Sequence, residues 1–192
     1  PGMIAALSMI QTMMLTALSV AREREQGTFD QLLVTPRLPS QILLSKAIPS
    51  VIVGLVQASL VILICVFWFG IPFQGSLLIL YFGLFMFTVA SVGIGLSISA
   101  ISLNMQQAML YTFVLIMPLM LLSGFATPIA NMPDALQILT YLNPVRFSVD
   151  SVRRVYLEGA TLVDIYPDLI PLALIALVTL PIATWLFRHR SS

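Results

Sequence analysis

Between Lys46 and Asp134 the chain carries no Asp, Glu, Lys, Arg or His. In an ordinary water-soluble domain about a quarter of the residues are charged, so a run this long must lie where charge is expensive. Glycine, proline and polar residues cut it into apolar pieces near the ~20 residues a helix needs to cross the hydrocarbon layer. The whole chain agrees: 192 residues, 59% apolar, 9% charged, mean hydropathy +1.01. The expected fold is all-α, a polytopic transmembrane helix bundle, because a spanning helix pairs its own backbone polar groups. Spans are expected at residues 2–20, 42–70, 76–102, 106–124 and 167–187 of one domain covering 1–192. Pro49 is expected to kink the second span, and Pro118 lies inside the fourth. Gly2 to Val20 lacks the basic stretch and cleavage site of a signal peptide, so it reads as a span, and the chain is expected to begin partway through a larger protein.

Residues 21–39 form a short polar island after the first span. Arg22, Glu23, Arg24 and Glu25 alternate in sign, and Gly27 is expected to end the helix. Thr28 with Gln31 has the spacing of a capping box. Phe29, Leu32 and Leu33 share one face of the helix that would follow, and Pro36 and Pro39 stop it. Such an island is either a solvated interfacial turn or a docking handle for a soluble partner, with apolar knobs and a charged rim.

The second polar stretch, 126–166, predicts two short helices. Pro133 suits a first helical turn, and Leu136, Ile138, Leu139 and Leu142 give an apolar stripe that Asn143-Pro144 breaks. A second helix is expected from Val145 to Leu157, closed by Gly159, with Val145, Val149, Val152 and Tyr156 on its apolar face. Arg146, Asp150 and Arg154 are spaced to pair along the other side. These helices form a lid over the bundle or a gate at its mouth. If the island is cytoplasmic, that side collects Arg22, Arg24, Arg37, Lys46, Arg188 and Arg190 against Arg146, Arg153 and Arg154 opposite, as the excess of basic residues on the inner side requires. In the third span Ser91, Gly95 and Ser99 recur every fourth residue, a small-residue face for close helix packing.

Much chemistry is excluded. There is no G-x-x-x-x-G-K-[ST] phosphate loop, and a net charge of +1 offers no field for nucleic acid. The single histidine, His189, and single cysteine, Cys65, cannot build a multi-ligand metal site or a Ser-His dyad in the membrane. Catalytic, cofactor-binding and metal-binding residues are therefore expected to be absent. No ionisable residue falls at mid-span depth, where ion-coupled carriers place one. That leaves Gln57, Asn104, Gln106, Gln107 and the hydroxyl groups as polar candidates.

The island resembles the cytoplasmic coupling region of ABC-2 type exporter permeases, whose pattern R-E-R-E-x-G-T-x-x-x-L-L-x-T-P is matched by Arg22-Glu23-Arg24-Glu25, Gly27-Thr28, Leu32-Leu33 and Thr35-Pro36. A second match lies downstream: Leu122-Ser123-Gly124-Phe125, Pro128-Ile129, Met132-Pro133, Tyr141-Leu142-Asn143-Pro144, Asp150 and Arg153. It is similar to the family's fifth-span end and outer helices, with Ser123, Gly124, Phe125, Pro128, Pro133, Asn143 and Pro144 in an outer-gate motif. The resemblance implies six spans in the full subunit, so that a first span and an extracytoplasmic domain would be absent here. It implies a second permease subunit, as homo- or heterodimer, and an ATP-binding cassette subunit that carries ATP and magnesium. Arg22, Glu23, Arg24, Glu25, Gly27, Thr28, Phe29, Leu32 and Leu33 would touch that ATPase. A bacterial inner-membrane exporter of bulky apolar or amphipathic substrates (drugs, lipids or glycans) would follow. The competing expectations are an ion-coupled carrier or channel, and a scaffold that recruits a soluble protein without transport.

Overall fold

The structure, a computed structural model, describes residues 2–26, 39–70, 75–123 and 129–190. Its helices are α1 (Gly2–Gln26), α2 (Pro39–Leu63), α3 (Leu77–Ile101), α4 (Met105–Leu121), α5 (Asp134–Leu139), α6 (Pro144–Glu158) and α7 (Leu162–Arg190). Ile64–Trp68 continues α2 as a π-helical turn, and 3₁₀ turns occupy Ile129–Asn131 and Thr140–Leu142. There is no strand among the described residues. The molecule is an all-α membrane bundle. Ala47–Trp68, Leu77–Ile101 and Leu162–Leu186 are long and apolar enough to cross a bilayer, while the apolar stretches Ala6–Ser19 and Met105–Leu121 are shorter. At 1.5 Å per residue, α4 is about 25 Å long against a ~30 Å hydrocarbon core.

α3 sits at the centre, packed against α1, α2, α6 and α7. It buries Leu80, Leu84, Phe87, Val92 and Leu96 and a set of small residues between them. α1 presents Met9, Met13, Ala17 and Ala21 to this core, one residue per turn and all fully buried. Contact partners give the directions. Ser99 of α3 bonds Ala17 of α1, and Gly83 and Gly93 of α3 lie beside Leu169 and Thr179 of α7, so α1, α3 and α7 run parallel. Gly54 lies beside Thr88, and Ser59 bonds Tyr81 at 2.5 Å, so α2 runs the other way. The C-terminal ends of α1, α3 and α7 therefore share one end of the bundle, and α6 packs among α1, α3 and α7 at the other.

Several boundaries differ from expectation, each for a local reason. α1 continues past the expected span through the charge quartet to Gln26, in line with the helix end expected at Gly27, since Arg and Glu are good helix formers. α2 begins at Pro39 and runs through Pro49 without interruption. α7 begins five residues before Pro167. Thr161 is its cap: the Asp164 carboxylate accepts from both the Thr161 N–H and the Thr161 hydroxyl at 3.0 Å, the half of a capping box in which the third-residue side chain reaches back to the cap N–H. Pro167, Pro171 and Pro181 lie within the helix. Asn104 and Gln107, polar candidates for a pathway, are used at the start of α4: Asn104 accepts from the Gln107 N–H, and Gln107 accepts from the Leu103 N–H, both at 2.9 Å. Asp168, within the span expected from residue 167, lies in the second turn of α7, only 8% exposed.

Candidate functional site

Three places carry the residues singled out from sequence. The first is the end of α1. Arg22, Glu23, Arg24 and Glu25 ride on its last turns, continuous with the apolar face that grips α3. Ala21 is still buried against the bundle, and Arg22 beside it is exposed. Gly27, Thr28, Phe29, Leu32 and Leu33 lie outside the described residues. A helix with no break between buried and charged turns transmits a displacement along its length, because each turn is tied to the next by backbone hydrogen bonds.

The second is the opposite end, where α4 meets α5 and α6. Asn143 joins them. Its side-chain oxygen accepts from the Val145 N–H at 2.9 Å and caps α6, and its Nδ2 donates to the Leu119 carbonyl at 2.7 Å. That carbonyl is among the last four of α4, which have no partner within the helix. Pro144 follows at the first position of α6, where its missing N–H costs nothing. Gly159 closes α6 in the left-handed region (φ 68°), with the Ala160 N–H reaching back to the Arg154 carbonyl. Ser123 is buried, and its hydroxyl donates to the Met120 carbonyl at 2.7 Å. Pro133 caps α5 from one residue outside it. Gly124, Phe125 and Pro128 lie outside the described residues. Val145, Val149, Val152 and Tyr156 are all buried.

The charged face of α6 is used differently from the pairing expected along the helix. Arg154 reaches Asp168 of α7, Nη1 to Oδ2, at 3.9 Å. Arg146 donates from Nη1 to the Thr140 hydroxyl at 2.6 Å and lies over the Tyr141 ring, 4.2 Å from its centroid. The Arg154–Asp168 pair was missed from sequence. The signal was Asp168 itself, a carboxylate inside the expected span 167–187, which needs a cationic partner.

The third is the seam between α1 and α3. Ser91, Gly95 and Ser99 all face inward. A Cβ on Gly95 would come within 3.0 Å of Thr16 Cβ and 3.2 Å of the Met13 carbonyl oxygen. Ser99 donates to the Ala17 carbonyl at 2.9 Å. The hydroxyls of Ser8 and Thr12 on α1, Ser91 on α3 and Ser148 on α6 are buried without a hydrogen-bond partner. Among the described residues no three His, Cys, Asp or Glu side chains come together as a metal site.

The family model described as ABC-2 type transporter matches residues 1–157, from α1 to the end of α6. The chain is 44% identical over 190 residues to the probable multidrug ABC transporter permease YbhR of Escherichia coli, covering 99% of this chain and 52% of that protein. It is 36% identical over 160 residues to the E. coli probable multidrug ABC transporter permease YbhS, covering 83% and 42%. Against the E. coli inner membrane transport permease YhhJ it is 30% identical over 190 residues, covering 97% and 51%. The chain thus spans about half the length of the curated relatives it matches.

Proposed function

The chain belongs to the ABC-2 type transporter family, and from that premise we propose that it is the membrane-spanning part of a permease subunit in an ATP-driven exporter of the bacterial inner membrane. ATP is hydrolysed on a separate cassette subunit, which docks on the charged end of α1. The substrate is bulky and apolar or amphipathic. Two permease subunits enclose the pathway, and α1's charged end and the end of α7 face the cytoplasm.

The observation that carries this reading is the continuity of α1. One rigid helix joins a charged end to the buried face on α3, so force applied to the end by a closing ATPase pair reaches the centre of the bundle. The names of the relatives support export, and the absence of a phosphate loop agrees with an energy source on a partner. Asp168 is the one feature that speaks for an ion-coupled carrier. It is paired with Arg154 and lies near the start of α7 rather than at mid-depth, which ranks that reading below the exporter.

The test is Glu23→Arg with Glu25→Arg in the full-length protein, co-expressed with its ATPase and reconstituted in vesicles. Insertion and yield stay as in the unaltered protein, while co-purification of the ATPase and ATP-dependent export are lost. Unchanged ATP-dependent export in the double variant refutes the docking role.

A further inference from the structure

We propose that the cleft between α4 and α7, on the α6 side of the bundle, binds one acyl chain of a phospholipid whose phosphate is held by Arg146. The cleft measures about 500 Å³, within the range of roughly 300–1,000 Å³ usual for small-ligand sites. Leu115 and Leu119 of α4 form one wall, Pro171, Leu174 and Val178 of α7 the other, and Tyr141 and Leu142 close the end toward α6. Leu174 and Val178 are more than half exposed although they lie in the middle of a helix long and apolar enough to span. In a bilayer such a flank meets a lipid chain or another helix, not water.

The polar groups stand at one end only. Tyr141 is a wall of the cleft, and the Arg146 guanidinium lies over that ring, 4.2 Å from its centroid, and 5.6 Å from the Phe147 centroid. Tyr and Arg beside an apolar wall are the groups that favour the boundary between hydrocarbon and headgroup. Of the five Arg146 side-chain N–H donors, one on Nη1 goes to Thr140. The neighbouring Arg154, not Arg146, reaches Asp168, and Asp150, one turn along α6 from Arg146, is exposed to solvent. A cation held against Tyr141, a wall of the apolar cleft, complements a ligand that is anionic at one end and a hydrocarbon chain at the other. A phosphodiester offers the paired oxygens that a guanidinium fork binds.

The test is native mass spectrometry of the full-length protein in mild detergent, titrated with dioleoyl phosphatidylglycerol. The expected result is one phospholipid retained per permease subunit. Retention falls at least fivefold in Arg146→Gln, and equally in Val178→Trp, which fills the cleft without touching the guanidinium. Inorganic phosphate at millimolar concentration does not displace the lipid. Equal retention in the unaltered protein and Val178→Trp overturns the proposal, and so does displacement by phosphate, which marks a free-anion site. Loss of dimer mass in Val178→Trp with lipid retained also overturns it, since a second copy of the chain would then cover the cleft. If Arg146→Gln does not fold, Arg146→Lys keeps the charge without the fork and is expected to weaken retention, while Val178→Trp still decides the chain-binding half.

Discussion

Gly95 shows how much one missing side chain decides. The α3 backbone approaches α1 closely enough that a Cβ would press on Thr16 and on the Met13 carbonyl. Gly95→Leu is therefore expected to destabilise the bundle by about 1–3 kcal/mol, the usual cost of overpacking, read as a lower melting temperature and yield in detergent. An unchanged melting temperature would mean that the seam opens without cost. Asn143 makes the complementary point with polar atoms. Asn143→Ala removes a helix cap worth ~1 kcal/mol and leaves the Leu119 carbonyl without its donor, at a further cost of about 1 kcal/mol or more. The expected loss is near 2 kcal/mol, with faster amide hydrogen exchange at Val145 and its neighbours. Asn143→Asp keeps the cap but sets a carboxylate oxygen against that carbonyl, so it recovers only the capping half. Slow exchange retained in Asn143→Ala would show that Pro144 alone starts α6. The capping role follows from Asn-Pro before an apolar helical pattern. The bond to Leu119 does not, because the two residues are 24 apart in the chain.

At the scale of elements, α1 and α7 matter most; α1 runs as the sequence predicts, and α7 starts five residues earlier than expected. Arg and Glu continue a helix readily, so the quartet extends α1 to Gln26, as the expected end at Gly27 requires. That continuity is what the coupling proposal needs, and it predicts an effect of stiffness separate from binding. Two glycines inserted between Arg22 and Glu23 leave the charges in place but interrupt the rod. The expected outcome is an ATPase that still co-purifies and still hydrolyses ATP while export falls at least tenfold. Full export in the insertion variant would show that α1 does not carry the motion. In α7 the misplaced boundary came from reading Pro167 as a start. Proline lacks one donor and fixes one dihedral, but in a membrane helix neighbouring groups take up the freed carbonyl, and the cap at Thr161 outweighs it.

For the whole molecule, α1, α3 and α7 run in one direction. Their C-terminal ends gather on one side, and α6 lies at the other. The basic excess on the side of α1's end predicts that this side is cytoplasmic. With Cys65 replaced by serine, Glu158→Cys is expected to react with a membrane-impermeant maleimide in intact cells, and Arg22→Cys only after permeabilisation. Both positions are exposed, so a reversed pattern would reverse the orientation.

The sequence by itself determined the class of fold, the apolar helices, the turn at Asn143-Pro144 and the close of α6 at Gly159. Each of these rests on local chemistry: hydropathy over a span's length, a cap, a fixed dihedral or a residue that tolerates positive φ. Tertiary structure alone decided which faces meet. It set Ser91, Gly95 and Ser99 against α1, took Arg154 to Asp168, laid Arg146 on Tyr141 and left the cleft between α4 and α7 open. The reason lies in the bilayer. A lipid-facing helix face is as apolar as a buried one, so helices in a membrane recognise each other by shape and scattered polar atoms rather than by hydrophobicity. Such matches join residues far apart in the chain, and no local pattern records them.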